Sequence, residues 1–496
     1  MNPNDEVLDN GVIALEVELI SLTDDDDKKK SQATLLIEIG QKNKLFHDCS
    51  GDAYTEIVRN SIKATYKVRS RDFREYLSHE LYELTGRGAN NNAITDAIAT
   101  LEASSKFGGE HIIIAVRTHF HNDQVFIDLG CKDRKIIQIN NAGYIYTDTA
   151  PIKFIRKSGM LALPTPKAGG RIMLLRKYIN VPEAEFSLIY GWIFCALAGI
   201  KPYPILILQG EQGTGKSTTC KVIRSLVDPS TVPLRSPPKD TRDLLVSAAN
   251  THCVVLDNLS GINAELSDCL CRLSTGGGHD VRALFTDNEQ YLIEIQKPVM
   301  CNGIDDVASR PDLAERSLII NLPTISNKSR KSETAFNKEF EQDRPLIMGA
   351  ILDGISSGLK HQAHVHLEEK PRMADAANWI TACERELGLE GAFMVAHKAN
   401  QLNAVEIGIE SSPLGSALMT YMTDRLKWTG KPTELFNILT DISGDRVTRS
   451  KSWPQSTKGM SNLIKRLTPS FRAIGIDISI GRTSTYRYYS IEKRID

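Results

Sequence analysis

The sequence predicts an α/β core with a smaller unit on either side: an α+β domain before it, and a domain of short helices and a β-hairpin after it. Three observations predict this. Between about residues 166 and 325, helical and β-rich stretches alternate, and one strand there opens into a run of glycines. Residues 32–165 mix strands and helices without that alternation. After residue 411 the charge balance changes: Arg425 to Arg494 holds fourteen Lys and Arg against five Asp and Glu, in a chain of formal net charge −1.

At 496 residues there is room for about three domains of ordinary size. Residues 1–31 contain DDDDKKK, a charge run that predicts a solvated, disordered acidic/basic tail. From 32 to 165, TLLIEIG reads as a strand, and RDFREYLSHELYEL and NNAITDAIATLEAS read as helices. HIIIAVRTHFHNDQVFIDLG reads as two strands around an Asn-Asp turn, and KIIQI as another strand. LPTPKAGG is the expected linker out of this domain. FSLIYGWIFCALAGIKPYPILILQG is strongly apolar, but Lys201, Pro202 and Pro204 break it and its second half leads into the glycines. A buried helix and a core strand are therefore predicted, not a membrane span. Residues 326–410 carry two helical patterns, FNKEFEQDRPLIMGAILDGISSGLK and ADAANWITACEREL.

The near-zero net charge excludes a general attraction to nucleic acid or membrane, so any such affinity must be local. The nine cysteines form no CxxC pair and are odd in number, which favours reduced thiols over disulfides or a zinc module. With an acidic N-terminus that lacks a basic, then apolar, leader, the expectation is a cytoplasmic protein. His119 with His121, and His361, His364 and His366, lack a matched third ligand set and are read as ordinary polar positions. Residues 32–165 show no acid pair at a strand end, so a fused priming polymerase is not predicted.

PILILQGEQGTGKST carries the most specific signal. A strand opens into Gly210, Glu211, Gln212, Gly213, Thr214, Gly215, Lys216, Ser217 and Thr218, matching GxxxxGK[ST] between a strand and a helix. The glycines let backbone N–H groups wrap a β-phosphate, and the helix starting near Lys216 directs its positive dipole end at the anion. Lys216 is expected to reach the β- and γ-phosphates, and Ser217 to ligate Mg²⁺. ATP with Mg²⁺ is the predicted ligand pair. The strand HCVVLDN ends in Asp257, placed to hold the metal through water. Beyond it, Val281–Phe285 and Gln290–Gln296 read as a hairpin around Thr286-Asp287-Asn288, and KPVMCN as a core strand ending in Asn302. PDLAE, between Arg310 and Arg316, looks like a helix start.

That order of elements resembles the superfamily III helicases of the AAA+ class, above all the primase–helicase ATPases of phages, poxviruses and integrated mobile elements. GEQGTGKST, TGGGHDVR and NGIDDVASRPDLAERS carry the resemblance. It implies an AAA+ core over residues 166–325, and ATP-dependent unwinding of DNA by a homo-oligomeric ring, expected to be a hexamer, in replication of a phage or mobile element. It also implies that Asn302 orients the attacking water or γ-phosphate, and that Arg316 or Arg310 is an arginine finger reaching a neighbouring subunit's ATP. The alternative for either arginine is an ion pair with Asp312 or Glu315. The hairpin would line a channel for single-stranded DNA. Its tip lacks a basic residue, so Arg282 and Lys297 at its base are the candidate phosphate contacts. Where such motors carry Asp-Glu, this chain has Asp257-Asn258. Asparagine cannot take a proton but can orient water, so hydrolysis is still expected, with Asp257 and Glu211 as further candidates to assist it.

In the basic C-terminal stretch, PTELFNILTDI and QSTKGMSNLIKRL read as helices, the second capped by Ser456, and IGIDISIGRTSTYRYYSIE as two strands around Gly481-Arg482-Thr483-Ser484. This is a winged helix-turn-helix pattern over 411–496. Lys458, Asn462, Lys465 and Arg466 would face a duplex groove, with Arg482 at the wing tip; a merely solvated basic face is the alternative. The expected partners are single- and double-stranded DNA, further copies of the chain and a separate primase, with no membrane. Two other readings stand beside the helicase: an ATP-gated DNA-binding initiator or regulator without processive unwinding, favoured by Asp257-Asn258, and the ATPase of a host-defence system.

Overall fold

The computed structural model describes residues 30–282, 290–304, 310–326, 330–482, 484 and 486–494, and of residues 278–282, 290–294 and 311 the backbone alone. The expected tail up to residue 29 and the hairpin tip Thr286-Asp287-Asn288 lie outside the described residues. The chain forms two compact units, Met1–Ile113 and Ile114–Asp496.

In the first unit, helices α1 (Gln32–Gln41), α2 (Arg71–Thr85) and α3 (Asn91–Gly108) accompany strands β1 (Lys44–His47), β2 (Ala53–Arg59), β3 (Ile62–Lys67) and β4 (Glu110–His111), whose sheet order is β3-β2-β1-β4. The stretch expected as a strand, TLLIEIG, is α1. Ser31 caps it, its hydroxyl accepting from the Thr34 N–H at 3.1 Å. Leu36, Ile39 and Gly40 are its buried residues, a helical spacing with no room for alternation. Gly40 admits α3 so closely that a Cβ there would meet the Leu101 side chain at 2.3 Å.

The second unit opens with β5 (Ile114–Ala115), β6 (Thr118–His121), β7 (Gln124–Asp128), β8 (Ile136–Asn140), β9 (Gly143–Thr147) and β10 (Lys153–Phe154). Strands β6 to β9 form an antiparallel sheet in sequence order. Asn122 (φ 48°) and Asp123 (φ 55°) make the β6–β7 turn, the paired left-handed conformation that the expected Asn-Asp hairpin requires. One face of this sheet, with Val125, Ile127, Ile137 and Ile139, belongs to the same apolar core as helix α4 (Phe186–Ala198). The expected domain end at residue 165 is therefore not where the compact units part. LPTPKAGG, expected as a linker, is packed: Lys167 N–H donates to the Pro345 carbonyl at 2.9 Å, and a Cβ on Gly170 would fall 1.9 Å from the Leu346 oxygen.

The centre is a four-stranded parallel sheet built from β11 (Ile205–Gln209), β12 (Val254–Leu259), β15 (Val299–Gly303) and β16 (Ser317–Asn321), in the order β12-β15-β11-β16. Helices α5 (Lys216–Val227), α6 (Thr241–Ala249) and α7 (Ala264–Thr275) lie along the chain between its strands, followed by the two-stranded pair β13 (Gly278–Arg282) and β14 (Gln290–Glu294) and the single turn α8 (Pro311–Ala314). All residues of α4 are buried, and Trp192 Nε1 donates to the Pro204 carbonyl at 2.9 Å, tying the helix to the start of β11. Among the described residues no helix is long and apolar enough to cross a membrane. Helices α9 (Glu333–His361), α10 (Ala374–Glu384) and α11 (Ala392–Glu410) share the α4 core through Ile351, Ile355, Trp379, Ile380 and Phe393.

The chain ends in α12 (Pro413–Met422), β17 (Lys427–Gly430), α13 (Pro432–Thr448), α14 (Thr457–Ala473), β18 (Ile476–Arg482) and β19 (Arg487–Lys493). The strands pair in the order β17-β19-β18 over a separate core that includes Leu418, Leu439, Ile464, Phe471 and Tyr489. Sequence reading missed β17, a four-residue strand too short to show alternation.

Candidate functional site

Strand β11 is wholly buried and ends against the glycine loop. Gly210, Gly213 and Gly215 have φ of 143°, 84° and 84°, values that side-chain-bearing residues rarely adopt. The loop is stapled from within by Thr214, whose hydroxyl donates to the Glu211 carbonyl at 3.0 Å. From outside, Asn180 Nδ2 donates to the Thr214 carbonyl at 2.9 Å and the Pro323 carbonyl at 2.5 Å. Sequence reading missed Asn180; no motif marks it, because its role is set by the fold.

Gly215 precedes α5 without a side-chain cap, so the helix presents its N-terminal N–H groups beside the loop. Lys216 Nζ donates to the Gly210 carbonyl at 2.6 Å and the Glu211 carbonyl at 2.7 Å, holding its ammonium within the loop. Partial burial pulls its pKa below the usual lysine value, against the opposing pull of Asp257. Glu211, Gln212, Gly213 and Thr218 are exposed.

Three side chains converge beside Lys216. Ser217 Oγ donates to Asp257 Oδ1 at 2.9 Å, and Asn302 Nδ2 donates to the same oxygen at 2.6 Å. Asn302 also approaches Cys220 Sγ at 3.3 Å, and its Oδ1 accepts the Asn258 backbone N–H at 2.8 Å. The strand order explains the convergence: β15, carrying Asn302, lies between β12, carrying Asp257, and β11, which feeds the loop. Asn258 sits where β12 departs from regular pairing, in the left-handed region at φ 59°, with its side chain exposed. A hydroxyl and a carboxylate oxygen side by side are hard donors that suit Mg²⁺, an ion that keeps waters and phosphate oxygens and needs no full protein cage. Among the described residues no group of three or more His, Cys, Asp or Glu could hold a metal by itself.

The two arginines are both ion-paired on their own chain. Arg310 meets Asp268 at 3.0 Å. Arg316 pairs with Asp312 and donates to its carbonyl at 2.8 Å, while the other expected partner, Glu315, is taken by Arg372. Arg316 Nε is buried without a partner among the described residues.

The expected DNA contacts divide. Arg282 ends β13 and pairs with Gln290 across the ladder; its side chain lies outside the described residues. Lys297 does not lie on an open surface: it is half-buried near Asp228, and burial pulls its ammonium down to about 8. Lys458, Asn462, Lys465 and Arg466 are exposed along one face of α14, opposite Met460 and Ile464, which are in the core. Ser456 caps that helix as expected, accepting from the Gly459 N–H at 3.2 Å. Arg482 is exposed at the end of β18.

The chain matches the family model "Actinomycete integrative conjugative element replication protein" over residues 172–401, and the model "AICE RepA C-terminal domain" over residues 414–495. No curated protein matches it in sequence. Among solved structures it is similar to "SCCmec type IV Cch - active helicase", at 13% identity and a TM-score of 0.48, covering 91% of this chain and 92% of that one. It is also similar to the apo structure of the NrS-1 C-terminal region, at 12% identity and a TM-score of 0.42, covering 94% and 100%. The two family models together take in well over half of the sequence, so the chain belongs to the RepA replication-protein family of actinomycete integrative conjugative elements.

Proposed function

We propose that this replication protein is an ATP-hydrolysing DNA helicase or translocase that works as a ring, expected to be a hexamer. Its parts would be a P-loop AAA+ core and a C-terminal winged helix-turn-helix. The observation that carries the reading is the Ser217–Asp257–Asn302 cluster beside the glycine loop, at the ends of strands in the order β12-β15-β11.

With ATP on the loop, Lys216 would exchange the Gly210 and Glu211 carbonyls for β- and γ-phosphate oxygens. Bound Mg²⁺ would be held by Ser217 and, through water, Asp257, and would neutralise charge on those phosphates. Asn302 fixes the Asp257 carboxylate and, by releasing one hydrogen bond, could orient the attacking water or the γ-phosphate. Asn258 would supply position and not proton transfer, which is compatible with a loose transition state whose rate comes mainly from positioning and charge neutralisation. Arg316, or Arg310, would serve a neighbouring subunit after leaving its own-chain carboxylate. The exposed α14 face would lie along duplex DNA and Arg482 would contact its backbone. A separate primase remains an expected partner.

The exposed, left-handed Asn258 favours a second reading, an ATP-gated initiator that binds DNA without unwinding it processively. Membership of a replication-protein family supports either of these over a host-defence ATPase. Strand separation of a forked duplex tests the choice. The helicase reading expects ATP-dependent displacement that Lys216→Ala abolishes; DNA binding and ATP turnover without displacement would favour the initiator.

A further inference from the structure

The C-terminal sheet β17-β19-β18 packs its core on one face and opens a groove on the other. Alternation along the strands sends Ile476, Ile478, Tyr489 and Ile491 into the core shared with α12, α13 and α14, and the residues between them to the outer side. That side carries Thr429, Ser479 and Ser490 and forms a wall of an open groove of about 910 Å³. Its hydroxyls are tied along the ladder: those of Thr429 and Ser490 lie 3.2 Å apart, and Ser479 Oγ donates to the Ser490 carbonyl at 3.4 Å.

Tyr488 lies across this groove. Its register partner is Gly481, and a Cβ there would fall 2.2 Å from the Tyr488 Cζ and 2.4 Å from its hydroxyl, so the ring lies down over the glycine. One face of the ring meets the sheet and the other turns to the groove, which Tyr488 lines. At the rim Lys431 Nζ stands 5.0 Å from the centre of the exposed Tyr486 ring, so a cation and a second aromatic lie side by side. The next register pair sets Arg482 directly opposite Arg487, both exposed, and no ion pair of either occurs among the described residues. Like charges face to face across a ladder destabilise it, and an anion between them removes that cost. From Arg425 to Arg494 fourteen cations meet five acids, so the domain as a whole lacks counter-charge.

We propose that this outer face binds single-stranded DNA, at a site separate from the duplex site proposed for α14: bases stack on Tyr488 and Tyr486, and Lys431 takes a backbone phosphate. The excess of cations selects a polyanion, and the rings select its single-stranded form. A duplex keeps its bases stacked inside, whereas a single strand offers a π-face at every base. By the same alternation Arg482 and Arg487 project to the α14 side at the end of the groove. A strand leaving a duplex on that side passes them before it reaches Tyr488. The proposal rests on the nucleic-acid reading of the C-terminal domain and deepens it, since the two sides of one small domain then hold duplex and separated strand together.

The test uses the full chain without nucleotide and the fluorescence anisotropy of an oligothymidine and of a short blunt duplex, for the parent, Tyr488→Leu, Tyr488→Phe and Lys465→Ala. Leucine keeps Gly481 covered but removes the π-face; phenylalanine keeps both. The expected result is a loss of oligothymidine affinity of about fivefold or more in Tyr488→Leu, with Tyr488→Phe, and duplex affinity in both variants, within about twofold of the parent. Photocrosslinking with an iododeoxyuridine-substituted oligothymidine, read by peptide mass spectrometry, should place adducts at Tyr486 or Tyr488. Unchanged oligothymidine affinity in Tyr488→Leu, equal losses for the two DNAs, or adducts confined to other parts of the chain would overturn the proposal. Duplex binding that Lys465→Ala weakens would leave the α14 reading standing in that case. A parent that binds neither DNA would instead overturn the nucleic-acid reading of the domain itself.

Discussion

Asn302 donates to Asp257 Oδ1 at 2.6 Å while its own Oδ1 takes the Asn258 backbone N–H at 2.8 Å, so one buried amide fixes both residues of the Asp-Asn pair. Deleting that amide strips the carboxylate of a donor and leaves a backbone N–H unmatched.

Asn302→Ala should therefore reduce kcat by about 100-fold or more, the usual cost of losing one preorganised donor, with ATP affinity within about threefold of the parent. Single-turnover hydrolysis and nucleotide titration separate the two. A variant that loses binding and turnover together would make Asn302 a structural residue only.

Asn258 bears on the choice of asparagine over glutamate at this position. Its φ of 59° suits Asn or Gly and opposes most other side chains by about 1–2 kcal/mol. Asn258→Gly keeps that backbone conformation but removes the amide proposed to position water, so it should lower turnover by about tenfold or more, whereas Asn258→Val should lower the stability by about that strain, read by thermal denaturation. Unchanged turnover in Asn258→Gly would show that the amide side chain takes no part in the reaction.

On α14, Lys465 and Arg466 are exposed on the face opposite the core. If that face follows a duplex backbone, each alanine substitution should lower the slope of log affinity against log salt by about one. Fluorescence anisotropy with a short duplex at several salt concentrations measures this. Slopes unchanged in both variants would return the face to solvent.

Glu185 gives a pH dependence. Burial pushes its carboxyl up to about 7, against one lowering hydrogen bond from the Asn321 backbone, and its Oε2 is buried without a partner among the described residues. A carboxyl whose folded pKa lies above its unfolded value contributes stability below the unfolded value and loses it as pH rises towards 7. Glu185→Gln should then flatten the fall in melting temperature between pH 5 and pH 8 and raise it most at pH 8. A variant with the parent's pH profile would contradict the assignment.

Much of the site was legible because its chemistry is local in sequence. The loop from Gly210 to Thr218 needs a strand before it and a helix after it, and both patterns are strong. Asp257 and Asn302 could be read as strand ends, but the bonds joining them depend on β15 lying between β12 and β11, which no single stretch encodes. TLLIEIG misled for a physical reason: its β-branched residues suit a strand, yet a Ser31 cap and burial at helical spacing decide for a helix. The boundary at residue 165 failed similarly, since only packing reveals that Val125 and Ile137 share a core with Trp192. Lys297 read as a surface cation because sequence shows charge but not burial.

If the glycine loop, Asp257 and Asn302 form a working ATPase, the protein turns ATP over. Steady-state ATP hydrolysis with and without single-stranded DNA, for the parent, Lys216→Ala and Arg316→Ala, tests it most directly. The expected result is turnover that DNA stimulates and that both variants lose, Lys216→Ala at its own site and Arg316→Ala across a subunit boundary. Tight ATP binding by the parent without turnover, whether or not DNA is present, would contradict it.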